Sequence, residues 1–303
     1  MFLSEILEKM GIAFEVTDEK PVESLGLVSY NDGSDVCTFA EKISFVENVS
    51  DGISMLITKS EVAKVLRNKA RNYGLIVTEH PRVTFFMVHN VLCKSEEYAR
   101  KKKATIIGDN CNISKLAFIA DCNVVIGNNV TIEEFVSIKE NTVIGDNSVI
   151  RSGTVIGSTG YEFKRNFDGS ESFLVEHIGG VKIGKNVEIQ HNTCVDKAIY
   201  PWDDTVIEEH SNIDNLVHVA HGVKIGKLSY VVAGVKIGGR CIIGENAWIG
   251  LGAMIRNGLT IGSNSRVNMG AVVTKSVADG EAVSGNFAVE HSKFIEEMKK
   301  KLV

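Results

Sequence analysis

The sequence predicts a mainly β protein built on a left-handed parallel β-helix, and two observations carry that prediction. An isoleucine or valine returns every six residues from Ile207 to Val273, and glycine directly follows many of these positions, as at Gly226 and Gly244. A period of six fits neither an amphipathic helix nor a half-buried strand and indicates a hexapeptide solenoid. Each hexad would form a short strand and a turn, and three hexads one coil of a triangular prism. The β-branched residue would point inward, and glycine would allow a corner where a side chain would clash.

The same repeat begins earlier in the chain and is interrupted. A first run starts at Ile107, and a second starts at Ile126 after a slip of one residue. The phase breaks at residues 158–177, resumes at Ile183 and skips through Pro201. The hexads suffice for about eight coils, which at roughly 4.8 Å per coil predicts a prism about 40 Å long. Left-handed coiling would be an exception to the usual right-handed crossover.

The region before the repeat has the pattern of a separate small α/β domain. Segments 53–58 and 74–78 resemble strands, whereas 61–71 and 81–91 resemble helices, the second opened by Pro81. Alternation of strands and helices is typical of an α/β arrangement.

Three regions follow from this pattern. We expect a small α/β domain over residues 1–100 and a β-helix over 101–285 with an inserted loop at 158–177. We further expect a short charged helix over 286–303 that caps the last coil, since an open coil exposes a sheet edge.

Composition restricts the class of protein. The chain has 303 residues and a net charge of −5, which argues against a nucleic-acid or generally basic membrane surface. It contains no apolar run long enough to cross a bilayer and no signal-peptide pattern, so we expect a cytoplasmic protein. Its six cysteines form no CxxC pair and predict free thiols rather than a metal site or a disulfide framework.

The segment IDNLVHVAHGVKIG contains the strongest candidate site. His218 and His221 flank the inward position Val219, so both should project outward from one coil. Asp214 and Asn215 lie just before them and complete a polar cluster. Histidine suits acid–base work near neutral pH, although an ordinary solvated coil surface remains a second interpretation.

The hexad period predicts which residues stack on this cluster, because residues three hexads apart occupy adjacent coils. The forward step from His221 reaches Gly239, whose N–H could stabilise an oxyanion; the backward step reaches Asp203 if the phase survives Pro201. A base, a donor amide and an orienting carboxylate would suit direct acyl transfer from a thioester.

At this point the sequence resembles a known family. The segment VEIQHNTCVDKAIYPWDDTVIEEHSNIDNLVHVAHGVKIG is similar to UDP-3-O-acylglucosamine N-acyltransferases of lipid A synthesis, whose sister O-acyltransferases share the paired histidines. The stretches CTFAEKISFV and SMLITKSEV follow the order of that family's uridine-binding domain. The resemblance implies a homotrimer with active sites between the prisms. It also implies transfer of an acyl group to the amino group of a nucleotide-activated sugar.

The resemblance also implies roles for particular residues. His221 matches the family's general base and Gly239 its oxyanion amide. Asp196 and Lys197 occupy the place of an Asp-Arg pair, and Phe39 that of an aromatic residue that contacts uracil.

Several departures from the family pattern leave the substrates open. Lys42 and Phe45 stand where the family has asparagine and tyrosine, which would change hydrogen bonding to the base. The ending DGEAVSGNFAVEH is similar to that of acetyl-CoA-dependent sugar acetyltransferases, with Phe287 in place of proline. Tyr161, in the inserted loop, would either contact substrate or pack the loop.

The sequence therefore predicts an N-acyltransferase with no tightly bound cofactor, using an acyl carrier protein or coenzyme A thioester as donor. Two alternatives remain: an acetyl-CoA-dependent nucleotide-sugar N-acetyltransferase and a non-catalytic solenoid that binds nucleotide sugars. A γ-carbonic anhydrase would use the same prism, but the sequence shows no suitable set of three histidines.

Overall fold

The N-terminal segment forms a five-stranded sheet with three helices. The structure, a computed structural model, describes residues 1–29, 33–46, 49–67, 73–285 and 288–301. The strand order is β1-β5-β4-β3-β2, with β1 antiparallel to β5 and the other neighbours parallel. In chain order the elements are α1 (Leu3–Lys9), β1 (Glu15–Thr17), β2 (Ser24–Leu25), β3 (Val36–Ala40), a 3-10 turn (Ile43–Val46), β4 (Ile53–Thr58), α2 (Ser60–Leu66), β5 (Gly74–Val77) and α3 (Pro81–Leu92).

The helix predicted over 61–71 is observed as α2, which ends at Leu66. The last predicted residues, 68–71, lie outside the described part of the chain.

The repeat region forms the predicted parallel β-solenoid. Before the inserted loop it contains β6 (Ile106–Ile107), β7 (Asn112–Ile113), β8 (Phe118–Ile119), β9 (Val124–Ile126), β10 (Thr131–Ile132), β11 (Ser137–Ile138), β12 (Thr142–Ile144), β13 (Val149–Ile150) and β14 (Val155–Ser158). The loop itself carries an antiparallel hairpin of β15 (Phe163–Arg165) and β16 (Ser172–Leu174).

After the loop the solenoid continues to near the end of the described chain. Its strands are β17 (Gly180–Ile183), β18 (Glu188–Ile189), β19 (Cys194–Asp196), β20 (Asp204–Ile207), β21 (Asn212–Ile213), β22 (His218–Val219), β23 (Lys224–Ile225), β24 (Tyr230–Val231), β25 (Lys236–Ile237), β26 (Ile242–Ile243), β27 (Trp248–Ile249), β28 (Met254–Ile255), β29 (Thr260–Ile261), β30 (Arg266–Val267), β31 (Val272–Val273) and β32 (Ala282–Val283).

The three faces of the prism are parallel sheets of nine, eight and eight strands. That makes slightly more than eight coils in the described residues, close to the number predicted from the hexads. The inward isoleucines and valines form one continuous core and are almost fully buried from Ile126 to Val267. Each strand is too short to be stable alone, so burial between neighbouring coils supplies its stabilisation.

The ladder between coils shows where the chain departs from a strict period. Ile225 pairs with Ile243, three hexads on, and most later coils keep that step. Across the inserted loop, Ile156 pairs with Val195. In the next coil Val195 pairs with Val219, a step of four hexads. The solenoid therefore stays in register, and the additional residues are looped out of it.

Glycine after an inward residue is required by space rather than by a left-handed backbone. A Cβ on Gly226 would lie 2.7 Å from the backbone nitrogen of Glu245 in the next coil. The left-handed backbone occurs two residues later, at positions such as Leu228, Arg240 and Asn246. The predicted steric role of the glycines is thus confirmed, whereas the unfavourable positive φ values fall partly on larger residues.

The looped-out residues belong to the first of two compact units. That unit contains residues 1–102, 159–179 and 199–203; the second contains 103–158, 180–198 and 204–303. Tyr200 is buried in the apolar core of the first unit with Val175 from the inserted loop. Tyr200 stacks on Trp202 at 5.2 Å between ring centroids, and the Trp202 indole N–H donates to the Leu25 carbonyl at 2.8 Å. Both loops therefore complete the core of the α/β unit.

The C-terminal segment forms α4 (His291–Lys301). Every described side chain from residue 288 to residue 300 is exposed. The predicted helix is present, but none of its side chains from residue 291 to residue 300 is buried. Phe287, which stands in place of the proline of the acetyltransferase ending, lies outside the described residues.

A buried histidine links α3 to the inserted loop within the first unit. His89 is fully buried, with Nε2 2.9 Å from the Glu176 carbonyl and Nδ1 3.1 Å from the Tyr98 hydroxyl. A carbonyl only accepts, so Nε2 carries the proton and Nδ1 accepts from Tyr98. Burial disfavours the imidazolium and lowers the pKa of His89 from 6.5 to about 4, although the Glu176 carbonyl opposes this shift.

Replacing His89 by glutamine should reduce the acid sensitivity of the first unit. Unfolded His89 binds a proton below pH 6.5 and folded His89 only near pH 4, so stability falls as pH drops through this window. The loss amounts to about 3 kcal/mol at pH 4. Urea unfolding at pH 7 and pH 4.5 should show a smaller difference for His89→Gln than for the parent. An equal difference in the two proteins would contradict the assignment.

Candidate active site

His221 and Gly239 meet at one corner of the solenoid. His221 directly follows β22 and Ala220, and Gly222, with φ +68°, turns the chain toward β23. A Cβ on Gly239 would lie 2.6 Å from His221 Nε2 and 2.7 Å from Cε1. The imidazole therefore occupies the space that any other residue at 239 would fill. The structure brings together the two residues that the three-hexad step paired.

The Gly239 N–H differs from the equivalent N–H groups of the two preceding hexads. In the two preceding hexads the N–H groups at the same position, Lys227 and Ala233, donate to the carboxylates of Glu208 and Asp214. Gly239 has no such carboxylate, and its N–H makes no hydrogen bond to the described residues. It lies beside an imidazole and can donate to an oxygen anion.

His218, on the strand before this corner, is paired with Asp196 from the coil below. Its Nε2 lies 3.0 Å from Asp196 Oδ2, and Ser158 Oγ donates to Oδ1 at 2.7 Å. Asp196 is only 4% exposed. Burial alone would raise the pKa of Asp196, but the hydrogen bonds from His218 and Ser158 outweigh it and lower that pKa. The carboxylate is therefore ionised at neutral pH.

The sequence predicted Asp196 and His218 as separate site residues but not their pairing. It indicated no role for Ser158 or Thr205, and for Cys194 it predicted only a free thiol. The Cys194 thiol lies 3.1 Å from Ser158 Oγ, and burial raises its pKa. The register of the ladder, Cys194 beside His218, could have suggested these neighbours had the four-hexad step been known.

Asp203 lies at a corner where the number of hexads between neighbouring coils changes. At this corner the ladder on one side advances by four hexads and the ladder on the other side by three. Asp203 is the last of the looped-out residues and belongs to the first unit, where Arg100 donates to its carbonyl at 2.8 Å. Its role as partner of His221 stays a prediction. Lys197 is half-buried, and its N–H donates to the Ser158 carbonyl.

The side chains of Asp214 and Asn215 form hydrogen bonds to the backbone of the solenoid. Asp214 accepts from the N–H groups of Asn215 and Ala233 at 2.7 and 3.0 Å. Asn215 Oδ1 accepts from the His191 N–H at 3.1 Å. These contacts fix neighbouring coils at another corner, between β21 and β22, and leave less of either side chain for a substrate.

The other predicted site residues lie in the first unit. Phe39, at the end of β3, packs on Phe85 with ring centroids 5.0 Å apart and is half-buried. Lys42 directly precedes the 3-10 turn and Phe45 lies on it; both are exposed, Phe45 by 53%. Tyr161, in the inserted loop, is 87% exposed, and its ring centroid lies 5.0 Å from that of Phe163.

A groove runs along the outer face beside His218. Its volume is about 350 Å³, and Lys236, Gly238, Met254 and Val272 are among its lining residues. A larger cavity of about 820 Å³ lies in the first unit, near Phe14, His80 and Phe167, and contains none of the predicted site residues.

The described residues provide neither a membrane-spanning helix nor a metal site. No helix among them is long and apolar enough to cross a bilayer. Likewise, within the described ranges no group of three His, Cys, Asp or Glu side chains is arranged to hold a metal ion.

Comparison with known proteins finds similarity to a hexapeptide-repeat family and to acyltransferases. The bacterial transferase hexapeptide family (six repeats) matches residues 123–158, 204–239 and 240–275. UDP-3-O-acylglucosamine N-acyltransferase 2 of Legionella pneumophila (strain Lens) is 52% identical over 137 residues, 45% of this chain and 39% of that protein. The UDP-3-O-acylglucosamine N-acyltransferase of Rickettsia prowazekii (strain Madrid E) is 46% identical over 90 residues, 30% of this chain and 25% of that protein.

The alignments thus span well under half of these relatives. A solved structure of UDP-N-acetylglucosamine acyltransferase from Campylobacter jejuni superimposes with a TM-score of 0.54 at 22% identity, covering 60% of this chain and 68% of that one. That likeness concerns the fold alone, and it confirms the left-handed β-helix class.

Substituting Gly239 by alanine should displace the His221 ring without disturbing the coil. The backbone of Gly239 suits any residue, but the new methyl group would overlap Nε2. A crystal structure of Gly239→Ala should show the imidazole rotated away, with the thermal midpoint changed by only a few degrees. Gly285→Ala is the control, since open space surrounds that position. An unmoved ring in Gly239→Ala would refute the described geometry.

Proposed function

We propose that this protein is an N-acyltransferase acting on a nucleotide-activated amino sugar, similar in reaction to UDP-3-O-acylglucosamine N-acyltransferases of lipid A or surface-glycan synthesis. One observation carries the proposal: the His221 imidazole lies against Gly239, where a base and a free backbone donor can serve one reacting carbonyl. The names of the Legionella and Rickettsia relatives support the reaction class.

The reaction would proceed by direct attack on a thioester. The sugar amine forms a C–N bond to the thioester carbonyl while His221 takes one proton from the nitrogen. The Gly239 N–H donates to the oxyanion of the tetrahedral intermediate. Collapse breaks the C–S bond, and the imidazolium returns the proton to the departing thiolate. No covalent acyl-enzyme forms, and no cofactor is required.

The groove beside His218 supports a donor with an acyl chain longer than acetyl. Met254 and Val272 present apolar surface along the coils above Gly238, which an alkyl chain could cover. The donor would be a thioester of acyl carrier protein or coenzyme A. Both carriers deliver the same phosphopantetheine thioester, so a donor series must decide between them.

The acceptor would bind through the first unit. Phe45 offers an exposed aromatic face for a base and Lys42 a cation for phosphate, with Phe39 supporting them from β3. Tyr161 is free to contact the sugar or the acyl group. In this proposal Asp196 serves the site through His218, and Lys197 is a further candidate contact.

The proposal includes a homotrimer in the cytoplasm. Exposed apolar side chains on the solenoid, Ile242, Met254 and Val272, provide surface for association of identical prisms. The six cysteines are free, as suits a reducing compartment. Sedimentation equilibrium would measure the subunit number, and a monomer would refute the trimer.

Replacing His221 by alanine should lower kcat by about 10²–10⁴-fold, the usual effect of losing a general base. The assay is mass-spectrometric detection of amide product from a matrix of acyl donors and nucleotide amino sugars. His210→Asn is the control, since His210 is exposed at φ +60° and asparagine tolerates that conformation. Near-parental turnover of His221→Ala with its best substrate would refute the mechanism.

The same matrix separates the alternatives. Turnover with acetyl-coenzyme A alone would identify an acetyltransferase. Tight binding of nucleotide sugars without any product would favour the non-catalytic solenoid.

A further inference from the structure

Three buried or half-buried side chains connect the anchors of His218 and His221. Thr205 is fully buried; its hydroxyl donates to the Asp196 carbonyl at 2.6 Å and accepts from the Gly222 N–H at 2.8 Å. A threonine hydroxyl has one proton and two lone pairs, so it can make both bonds at once. Gly222 directly follows His221, and the Asp196 side chain holds His218. One hydroxyl therefore ties the backbone next to His221 to the backbone of Asp196, the residue whose side chain holds His218.

The Asp196 carboxylate also fixes which nitrogen of His218 carries a proton. An ionised carboxylate only accepts, so the Nε2 atom 3.0 Å away must donate to it. Neutral His218 then has a lone pair on Nδ1, the nitrogen remote from Asp196. Ser158 holds the other carboxylate oxygen and prevents rotation of the carboxylate plane. Further ionisable groups lie near this pair: Cys194 beside Asp196, Lys236 in the next coil, and Arg256, which lines the groove with His218. The Lys236 ammonium donates to the Leu216 carbonyl.

We infer that Asp196, Ser158 and Thr205 form a single positioning network that holds both histidines in register and keeps His218 in the Nε2–H tautomer. His218 thereby presents Nδ1 as a hydrogen-bond acceptor to the bound acceptor sugar, beside the base His221. The network touches no reacting atom, so these three are positioning residues. The kinetic consequence rests on the proposed function, whereas the tautomer and the hydrogen bonds do not.

The chain contains a matched control for Thr205. Thr154 is also fully buried, donates to the Gln190 carbonyl at 2.7 Å and accepts from the Thr193 N–H at 3.2 Å. It makes the same bridge between two coils but holds neither His218 nor His221. A purely structural role for such hydroxyls would make Thr205→Val and Thr154→Val equivalent.

The first measurement is the imidazole ¹⁵N spectrum of the full-length protein at pH 8, in which protonated and bare ring nitrogens have distinct shifts. The parent should show His218 with the proton on Nε2. In Asp196→Asn the amide can donate as well as accept, so His218 should become a mixture of tautomers. Thr205→Val should change the signals of both histidines, and Thr154→Val neither. Unchanged His218 and His221 signals in a folded Thr205→Val protein would overturn the network.

The second measurement separates positioning from stability. Thr205→Val should lower kcat by about 10²-fold with little change in KM, the scale expected when a reacting group is misplaced by about 1 Å. Thr205→Ser should restore most of that loss, and Thr154→Val should keep parental kcat. Equal activity loss in the two valine variants would overturn the positioning role. Absence of acyl transfer by the parent would refute the proposed function alone, and the spectra would still decide the network.

Discussion

Every coil of the solenoid must stack in register on the coil before it. Each inward isoleucine or valine must stack on the one below, because its burial and the backbone ladder both require it. The coils stay in register even where the hexad spacing is interrupted. Val195 pairs with Ile156 across the inserted loop and with Val219 across one additional hexad. An insertion must leave the prism and return to the same place, so it cannot shift the coils that follow.

Because of this constraint, the polar side chains of the positioning network lie next to the inserted loop and the additional hexad. Ser158 is the last residue of β14 before the hairpin loop, and Asp196 is the last residue of β19 before the additional hexad. The ladder places them as neighbours, with a register shift between Ile156 and Ser158. Thr205 lies at the return of the second insertion, in β20. The positioning network thus consists of residues that flank the two departures, where the hexad pattern no longer dictates side-chain type.

The requirement for register between coils also explains which parts of the fold and of the site could be predicted from the sequence. The solenoid and the contact between His221 and Gly239 follow from a period that is unbroken from Ile207 to Val273. The pairing of Asp196 with His218 depends on a step of four hexads between neighbouring coils. A repeat with three hexads per coil does not predict that step. The three-hexad step back from His221 reaches Asp203, the last of the looped-out residues, and this assignment stays a prediction. The aromatic packing of Tyr200 and Trp202 into the first unit has no periodic signal at all.

The buried carboxylate is the strongest physical indication that this corner is more than scaffold. Asp196 directly follows the inward Val195; the corresponding residues in the next two coils are Ala220 and Gly238. In those two coils this corner position is filled without a polar side chain. A buried carboxylate at the same position carries a desolvation cost that an alanine avoids. Ser158 and His218 offset that cost, but a cost offset by partners is not a gain in stability. Because small apolar residues serve the fold equally well at this position, the carboxylate is best explained by the orientation it gives to the exposed imidazole.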